Sequence, residues 1–282
     1  IESIRKHKGS ANELDVVIVG AGPAGISASL AAKETGLRFV TIEQEDGLGG
    51  SVYHFPRRKL AMTAPMKLPI VGKFNKYEIS KEELLTFWNR ITRENGIKIN
   101  FAERMDAITK TGSGFLVKTS KDSYKTKNVL LAIGRRGTPR KLGVPGEEQP
   151  KVVYRLIDAE QYRGQHVLVV GGGDSAAEAA LAIAAEQGTT VSVSSRGDDI
   201  LTRPKEKNRM RLKEFATQGK LKIFLNTSVK QIGKDTVTLE QAGKSGSLKN
   251  NAVIVCAGGT LPTPMLQEIG VMVDTYYGTS MP

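Results

Sequence analysis

Residues 15–25 read DVVIVGAGPAG. The next run, 26–35 (ISASLAAKET), is small and helix-favouring and is closed by Gly36 before a second apolar run at 39–43 (FVTIE). A short, β-branched, almost wholly apolar run fits a strand buried on both faces of a parallel sheet. A helix stopped by glycine and a second such strand complete a βαβ unit. The turn between strand and helix is GxGxxG. Gly20 permits the tight bend, Gly22 lets backbone approach a pyrophosphate, and Gly25 lets helix pack closely on strand. Pro23 and Ala24 lie between them, where the helix start offers N–H groups and partial positive charge to phosphate. Glu43 stands 23 positions after Gly20. Its carboxylate is expected to accept hydrogen bonds from an adenosine ribose, with Gln44 beside it.

The same grammar returns downstream. Residues 165–170 (QHVLVV) read as a strand, Gly171 to Ala176 (GGGDSA) as a turn in GxGxxA form, 178–186 as a helix ended by Gly188, and 191–195 (VSVSS) as the next strand. Where the first unit has Glu43, this one has Ser195 followed by Arg196. A missing carboxylate and an arriving guanidinium fit a 2′-phosphate better than a ribose hydroxyl, which favours NADPH, with NADH as the alternative. Arg203, Lys205 and Lys207 add positive field, although 205–213 reads first as a solvated helix face. Two dinucleotide units admit two dinucleotides, one of them a bound flavin. Hydride transfer from nicotinamide to flavin is then the simplest chemistry. A single cofactor, or a purely structural second unit, is the competing reading.

The length of 282 residues corresponds to about two domains. With 39% hydrophobic and 25% charged residues, the composition is that of a soluble globular protein. No apolar run reaches the ~18 residues of a membrane helix, so no membrane span is expected. Cys256 is the only cysteine, which excludes an internal disulfide, a CxxC pair and a cysteine-held zinc or iron–sulfur site within this chain. It also points towards a reducing compartment. The first residues, starting at Ile1, are polar and show no secretory signal, so a cytoplasmic location is expected. The charge balance, 41 basic minus 29 acidic, is +12. A solvated basic surface is the first reading of it. Nucleic acid is not expected, because no recognised module is present and aromatic residues make up only 6%.

Residues 15–25 with Glu43, then Gly49-Gly50, then 128–134 (NVLLAIG), then 171–176 and 251–259 (NAVIVCAGG) occur in an order that resembles thioredoxin-reductase-like flavoproteins. The resemblance covers roughly 15–278. It implies an α/β fold of two Rossmann-like dinucleotide-binding domains, the NAD(P)H domain inserted into the FAD domain. Residues 1–14 would be a polar N-terminal extension, 15–134 the first part of the FAD domain, 135–256 the NAD(P)H domain with linkers, and 257–282 a return segment. FAD would lie on Gly20, Gly22, Pro23, Ala24, Gly25, Glu43, Gln44, Gly50 and the backbone of Ile133 and Gly134. NADPH would lie on Gly171, Gly173, Asp174, Ser175, Ala176, Arg196 and Gly258. Gly197 stands where the family's segment has a second arginine.

Two departures qualify the resemblance. The family's reductases carry a CxxC pair and then Asp before the second turn. Here Tyr154 to Asp158 (YRLID) keeps the Asp and lacks both sulfurs. Without thiols there is no internal dithiol relay, so electrons on the flavin must pass to an external acceptor: an iron–sulfur protein, a cytochrome, a flavodoxin or a disulfide. The chain is therefore similar to the dithiol-free branch, the ferredoxin/flavodoxin–NADP reductases of thioredoxin-reductase type and bacillithiol disulfide reductase-like proteins. Residues 49–68 also resemble NAD(P)-binding oxidoreductases that occur beside iron–sulfur or cytochrome modules. The second departure is the family's closing Gly-Asp motif on the flavin. The Gly-Asp pairs here, Gly173-Asp174 and Gly197-Asp198, both fall in the inserted domain. Three readings stand side by side: further residues complete the FAD site, a partner chain completes it, or flavin binding is weakened or lost; a homo-oligomer or a redox complex is expected. The alternative function is a nucleotide-binding, non-catalytic or partner-dependent subunit.

Other residues carry weaker signals. His54, in 51–58 (SVYHFPRR), is a proton-shuttle candidate or a loop histidine. Tyr53 and Phe55 stack near the flavin or pack the loop. Arg57, Arg58 and Lys59 form a basic knot that could dock an acidic electron carrier or stay solvated. His7 and His166 lack partners at metal spacing, so no metal is expected. Cys256, in an apolar strand, reads as a small hydrophobe. Asp158 senses redox chemistry or caps a helix at 159–162. Residues 78–95 read as a helix with a Ser80/Glu83 capping box. Runs 97–101, 107–111 and 115–119, and 222–225 with 236–239, read as small antiparallel sheets.

Overall fold

The computed structural model describes residues 1–134, 137–198 and 204–274. It divides into two compact units, one formed by 1–137 with 261–282 and the other by 138–260. Arg203 and the segment 275–282 lie outside the described residues.

The first unit is built on a six-stranded sheet. Strand Leu14–Val19 sits between Phe39–Ile42 and Ser123–Leu131, parallel to both. Successive side chains alternate faces. Val16 and Ile18 pack with Ala28 and Ala32 of helix Pro23–Glu34, while Val17 and Val19 pack with Val117 and Ile108 of the antiparallel strands Met105–Lys110 and Phe115–Thr119. Both faces are thus covered, which is why residues 15–19 carry no polar alternation. The helix begins at Pro23, one step after Gly22. Proline suits that position because its missing N–H has no intrahelical partner to lose.

The N-terminal extension is docked. Ile1 and Ile4 pack against the Val16 cluster. The Arg38 guanidinium donates to the carbonyls of Gly9, Ser10 and Ala11 and pairs with the buried Asp15 carboxylate at 2.9 Å.

The second unit repeats the plan with a five-stranded parallel sheet, in spatial order Val152–Val153, Ala252–Val255, His166–Val170, Thr190–Ser194, Leu221–Phe224. Helix Asp174–Ala184 covers one face through Val167, Val169 and Ile254. The antiparallel meander of Thr227–Ile232, Thr236–Gln241 and Lys244–Lys249 covers the other through Leu168, Val170 and Val253.

Three sequence expectations are corrected. Residues 78–80 are not helical: Glu78–Ser80 pairs antiparallel with Leu60–Met62, burying Ile79 and Ala61. The helix, Lys81–Glu94, starts only after its N-cap Ser80, whose capping box with Glu83 forms as expected. The runs around 97–101 and 222–225 join the main sheets as parallel edge strands, Ile99–Asn100 and Leu221–Phe224. Each is reached through a helix, and such a crossover returns a strand parallel. Among the described residues no helix is long and apolar enough to cross a membrane.

Candidate functional site: two glycine turns

At the first turn Gly20 has φ +105°. A Cβ there would lie 2.6 Å from the Ala132 carbonyl, and one on Gly25 only 1.8 Å from the Gly20 carbonyl. Both contacts are with backbone, which cannot swing aside. The neighbouring strand end closes around them, with Gly20 N donating to Ile42 O and Ala132 N to Val19 O, each at 2.8 Å.

Glu43 is buried at the end of strand Phe39–Ile42. Its Oε2 accepts from Ala21 N at 2.7 Å and its Oε1 from Glu45 N at 3.1 Å. The carboxylate therefore braces the glycine turn and keeps lone pairs for further donors. Its own backbone is clamped, N to Asn100 O and O to Glu103 N, each at 2.8 Å. Behind it, Glu103 accepts from Thr119 Oγ1 (2.7 Å) and from the Tyr124 hydroxyl (2.8 Å). Burial and then Glu103 push the Tyr124 hydroxyl up to about 12, so it remains a donor at neutral pH. Sequence reading missed this Glu103–Tyr124 support. Its one visible signal was a carboxylate at 103 immediately after an apolar strand.

Gly49 N donates to Ala21 O at 2.9 Å, which folds the Gly49-Gly50 turn onto the first. The space beside Gly22 is bordered by Gly50: a Cβ on Gly22 would sit 3.7 Å from Gly50 Cα, in ordinary contact. Pro23, Ala24 and Gln44 are exposed, Ile133 is half-buried, and Gly134 (φ +69°) has open space before it. Beyond Glu43, the Tyr53 hydroxyl donates to Asp46 at 2.7 Å, His54 Nε2 lies 3.3 Å from Glu45 Oε1, and the two rings meet edge-on at 5.3 Å. Phe55 packs against the Leu84–Trp88 cluster.

The second turn superimposes in logic. Gly171 has φ +145°, and a Cβ there would lie 2.4 Å from Cys256 O. Gly171 N donates to Ser194 O (2.9 Å) and Cys256 N to Val170 O (2.7 Å). The contents differ. Ser195, buried, places its Oγ 2.8 Å from where a Gly172 Cβ would be, filling part of the room that Glu43 takes in the first turn. Arg196 is exposed and makes no ion pair among the described residues. Gly173 and Gly258 (φ +82°) face open space, and Ser175 is exposed at the helix start. The Asp174 carboxylate is engaged elsewhere: it accepts from Lys205 N (2.8 Å) and Asn208 Nδ2 (2.9 Å), fastening the start of helix Glu206–Thr217.

The remaining candidates resolve locally. Burial, then Glu178, pushes the Cys256 thiol up to about 11, so it stays protonated and unreactive at neutral pH. Asp158 accepts from Glu160 N at 3.1 Å just before the short helix Glu160–Tyr162, whose N-cap position is Ala159. Tyr154, where the resemblance would put a sulfur, donates to Glu147 at 2.8 Å.

A family model described as pyridine nucleotide-disulphide oxidoreductase matches residues 17–279. Bacilliredoxin reductase Bdr of Bacillus subtilis (strain 168) is 27% identical over 267 residues, covering 93% of this chain and 82% of its own. A ferredoxin–NADP reductase of Ignicoccus hospitalis is 31% identical over 241 residues, with coverages of 82% and 72%. Among solved structures, bacillithiol disulfide reductase Bdr (YpdA) from Staphylococcus aureus aligns with a TM-score of 0.81 at 26% identity, covering 94% of this chain and 82% of that one. The T. acidophilum thioredoxin reductase shares the fold, with a TM-score of 0.69 at 24% identity and coverages of 93% and 83%.

Proposed function

The chain belongs to the pyridine nucleotide-disulphide oxidoreductase family, and from that premise we propose that it is an FAD-dependent NAD(P)H oxidoreductase delivering electrons to an acceptor outside the chain. The observation that carries this reading is the pair of glycine turns, alike in backbone and finished with opposite chemistry, a carboxylate at Glu43 and a serine–arginine pair at Ser195-Arg196. When bound, the flavin and the nicotinamide supply the redox chemistry, hydride exchange between their rings.

This chain's residues bind and orient. The amides opening helices Pro23–Glu34 and Asp174–Ala184 attract diphosphate. Glu43, held by Ala21 N, presents a fixed acceptor to adenosine ribose hydroxyls. Gly50 and the backbone of Ile133 and Gly134 border the same nucleotide. In the second unit, Gly171, Gly173, the Asp174 backbone, Ser175 and Ala176 form the phosphate turn. Arg196 selects a 2′-phosphate, and hence NADPH over NADH. Gly258 leaves the strand end open beside it.

The acceptor must be external because the single thiol, Cys256, has no partner cysteine and is held protonated. Relatives named for ferredoxin, bacilliredoxin and bacillithiol disulfide illustrate the range. An iron–sulfur protein, a cytochrome, a flavodoxin or a low-molecular-weight disulfide fits this chemistry, and the protein acts as a homo-oligomer or within a redox complex. The test is anaerobic spectroscopy. The FAD-reconstituted protein shows flavin absorbance that bleaches with NADPH and returns on adding an acceptor. A protein that takes up no FAD under any condition overturns the reading.

A further inference from the structure

Residues 47–77 contain Arg57, Arg58, Lys59, Lys67, Lys73 and Lys76 and no aspartate or glutamate. The same stretch holds five of the ten large apolar side chains most exposed among the described residues: Leu60 (56%), Met62 (71%), Met66 (36%), Ile70 (44%) and Tyr77 (68%). Cation and hydrocarbon are exposed together here, on two short antiparallel ribbons.

The register shows how. In Met66–Leu68 against Gly72–Phe74, Leu68 and Phe74 turn inward, and Lys67 stands directly opposite Lys73 on the outward face. Like charges facing each other across a ribbon are destabilising. Neither lysine makes an ion pair among the described residues. In Leu60–Met62 against Glu78–Ser80, Ala61 and Ile79 face inward, which leaves Leu60 and Met62 outward opposite Ser80 and Glu78. The carboxylates that meet these cations and ribbons come from outside 47–77: Glu78, Glu82 accepting from Arg58 N and facing Arg57, Glu83 facing Lys76, and Glu34 accepting from Ile70 N. The outward Lys67–Lys73 pair therefore adds positive charge, with no ion pair among the described residues, beside exposed methionine, leucine and tyrosine. The chain of this region runs directly from the Gly49-Gly50 turn, which is hydrogen-bonded to the first glycine turn.

We propose that these two ribbons are the docking surface for the electron acceptor, and that the acceptor is a protein with a carboxylate-rich face. This rests on the reading of the chain as a flavin reductase with an external acceptor. Complementary charge speeds encounter, and the apolar side chains give a short-lived contact at the centre of the patch. Scattered apolar side chains among cations on short ribbons match the mixed composition of a transient protein–protein contact, and lipid or nucleic acid as occupant is an outcome of the test below.

The test uses the full chain with FAD and NADPH, comparing an acidic [2Fe–2S] ferredoxin with neutral menadione as acceptors over a range of salt. The variants are Lys67→Glu, which turns the repulsive pair into an attractive one and so favours folding, and Met62→Ser. Lys67→Glu is expected to lower kcat/KM for ferredoxin about tenfold and to flatten its salt dependence. Met62→Ser should lower it at all salt concentrations. Menadione turnover should stay unchanged in both. Unchanged ferredoxin kinetics in both variants, or an equal loss with menadione, overturns the proposal. So does a Lys67→Glu variant that loses binding to duplex DNA or phosphatidylserine vesicles while keeping ferredoxin turnover. Absence of menadione turnover in the parent protein would instead sink the reductase reading. Docking would then be decided by ferredoxin binding measured by fluorescence anisotropy, supported by a salt-sensitive loss in Lys67→Glu and refuted by none.

Discussion

In the first glycine turn the third small residue is Gly25, and a Cβ there would lie 1.8 Å from the Gly20 carbonyl. In the second it is Ala176, which already carries a Cβ. Behind the first stands a buried carboxylate bonded to Ala21 N, and behind the second a serine hydroxyl against Gly172. One backbone plan has thus been built at two tolerances. The tighter one is braced by a charged acceptor, and the looser one leaves its neighbouring guanidinium exposed. Tight, acceptor-lined sites suit a nucleotide that stays. An open turn beside an exposed cation suits one that comes and goes.

The largest test of that contrast is Gly25→Ala. With backbone as the obstacle, we expect a loss of at least about 3 kcal/mol, seen as a fall in Tm together with failure to retain FAD. A variant as stable as the parent would show that the two turns do not differ in tolerance. Next is Glu43→Ala, which strands the buried Ala21 amide and frees that of Glu45 and should cost ~1–3 kcal/mol in chemical denaturation, with weakened FAD retention. In the second unit, Arg196→Ala should raise the KM for NADPH about tenfold, equivalent to ~1.4 kcal/mol, while leaving that for NADH unchanged. A parallel loss with both nucleotides would remove the arginine from 2′-phosphate recognition. Ala176→Gly, the reverse of the first substitution, should cost only ~1 kcal/mol of helix propensity and leave nucleotide binding intact.

The smallest global effect concerns the bases of the two sheets. Asp15, at the foot of the first unit, has its carboxyl held below the ordinary aspartate value. Burial pushes it up, but hydrogen bonds from Arg38 and from the Arg38 and Gly9 amides outweigh that. The foot of the second unit is tied by neutral amides instead, with Asn251 Oδ1 accepting from His166 N at 2.9 Å and Asn250 Nδ2 donating to Ala252 O at 2.7 Å. A depressed carboxylate contributes stability that is complete above the unfolded aspartate value of 3.8 and is lost as pH falls through the lower folded value. Limited proteolysis should therefore release residues 1–13 only in acid. Asp15→Asn should release them at neutral pH, while cleavage within 138–260 is unaffected in both.

Much of this was legible in one dimension. Both βαβ units, their glycine positions and the capping box at Ser80 rest on short-range rules, the φ each glycine must adopt and the alternation of apolar residues. Where the reading failed, the missing information was long-range. Residues 222–225 have the composition of any short strand, and only the helix preceding them forces a parallel partner. Asp174 stands in the second glycine turn by position, and its carboxylate also fastens a helix thirty residues away, a contact that spacing along the chain does not encode.

By itself, the amino-acid order determined that two strand–turn–helix units form, that one ends in a carboxylate and the other in a guanidinium, and that no second thiol exists. All of these follow from local sterics and residue chemistry. The tertiary structure alone decided that Glu43 is spoken for by the turn it follows, that Glu103 and Tyr124 hold it there, and that Lys67 confronts Lys73 across a ribbon. Hydrogen bonds and cross-strand pairings join residues by position in space, and the chain must close on itself before those positions exist.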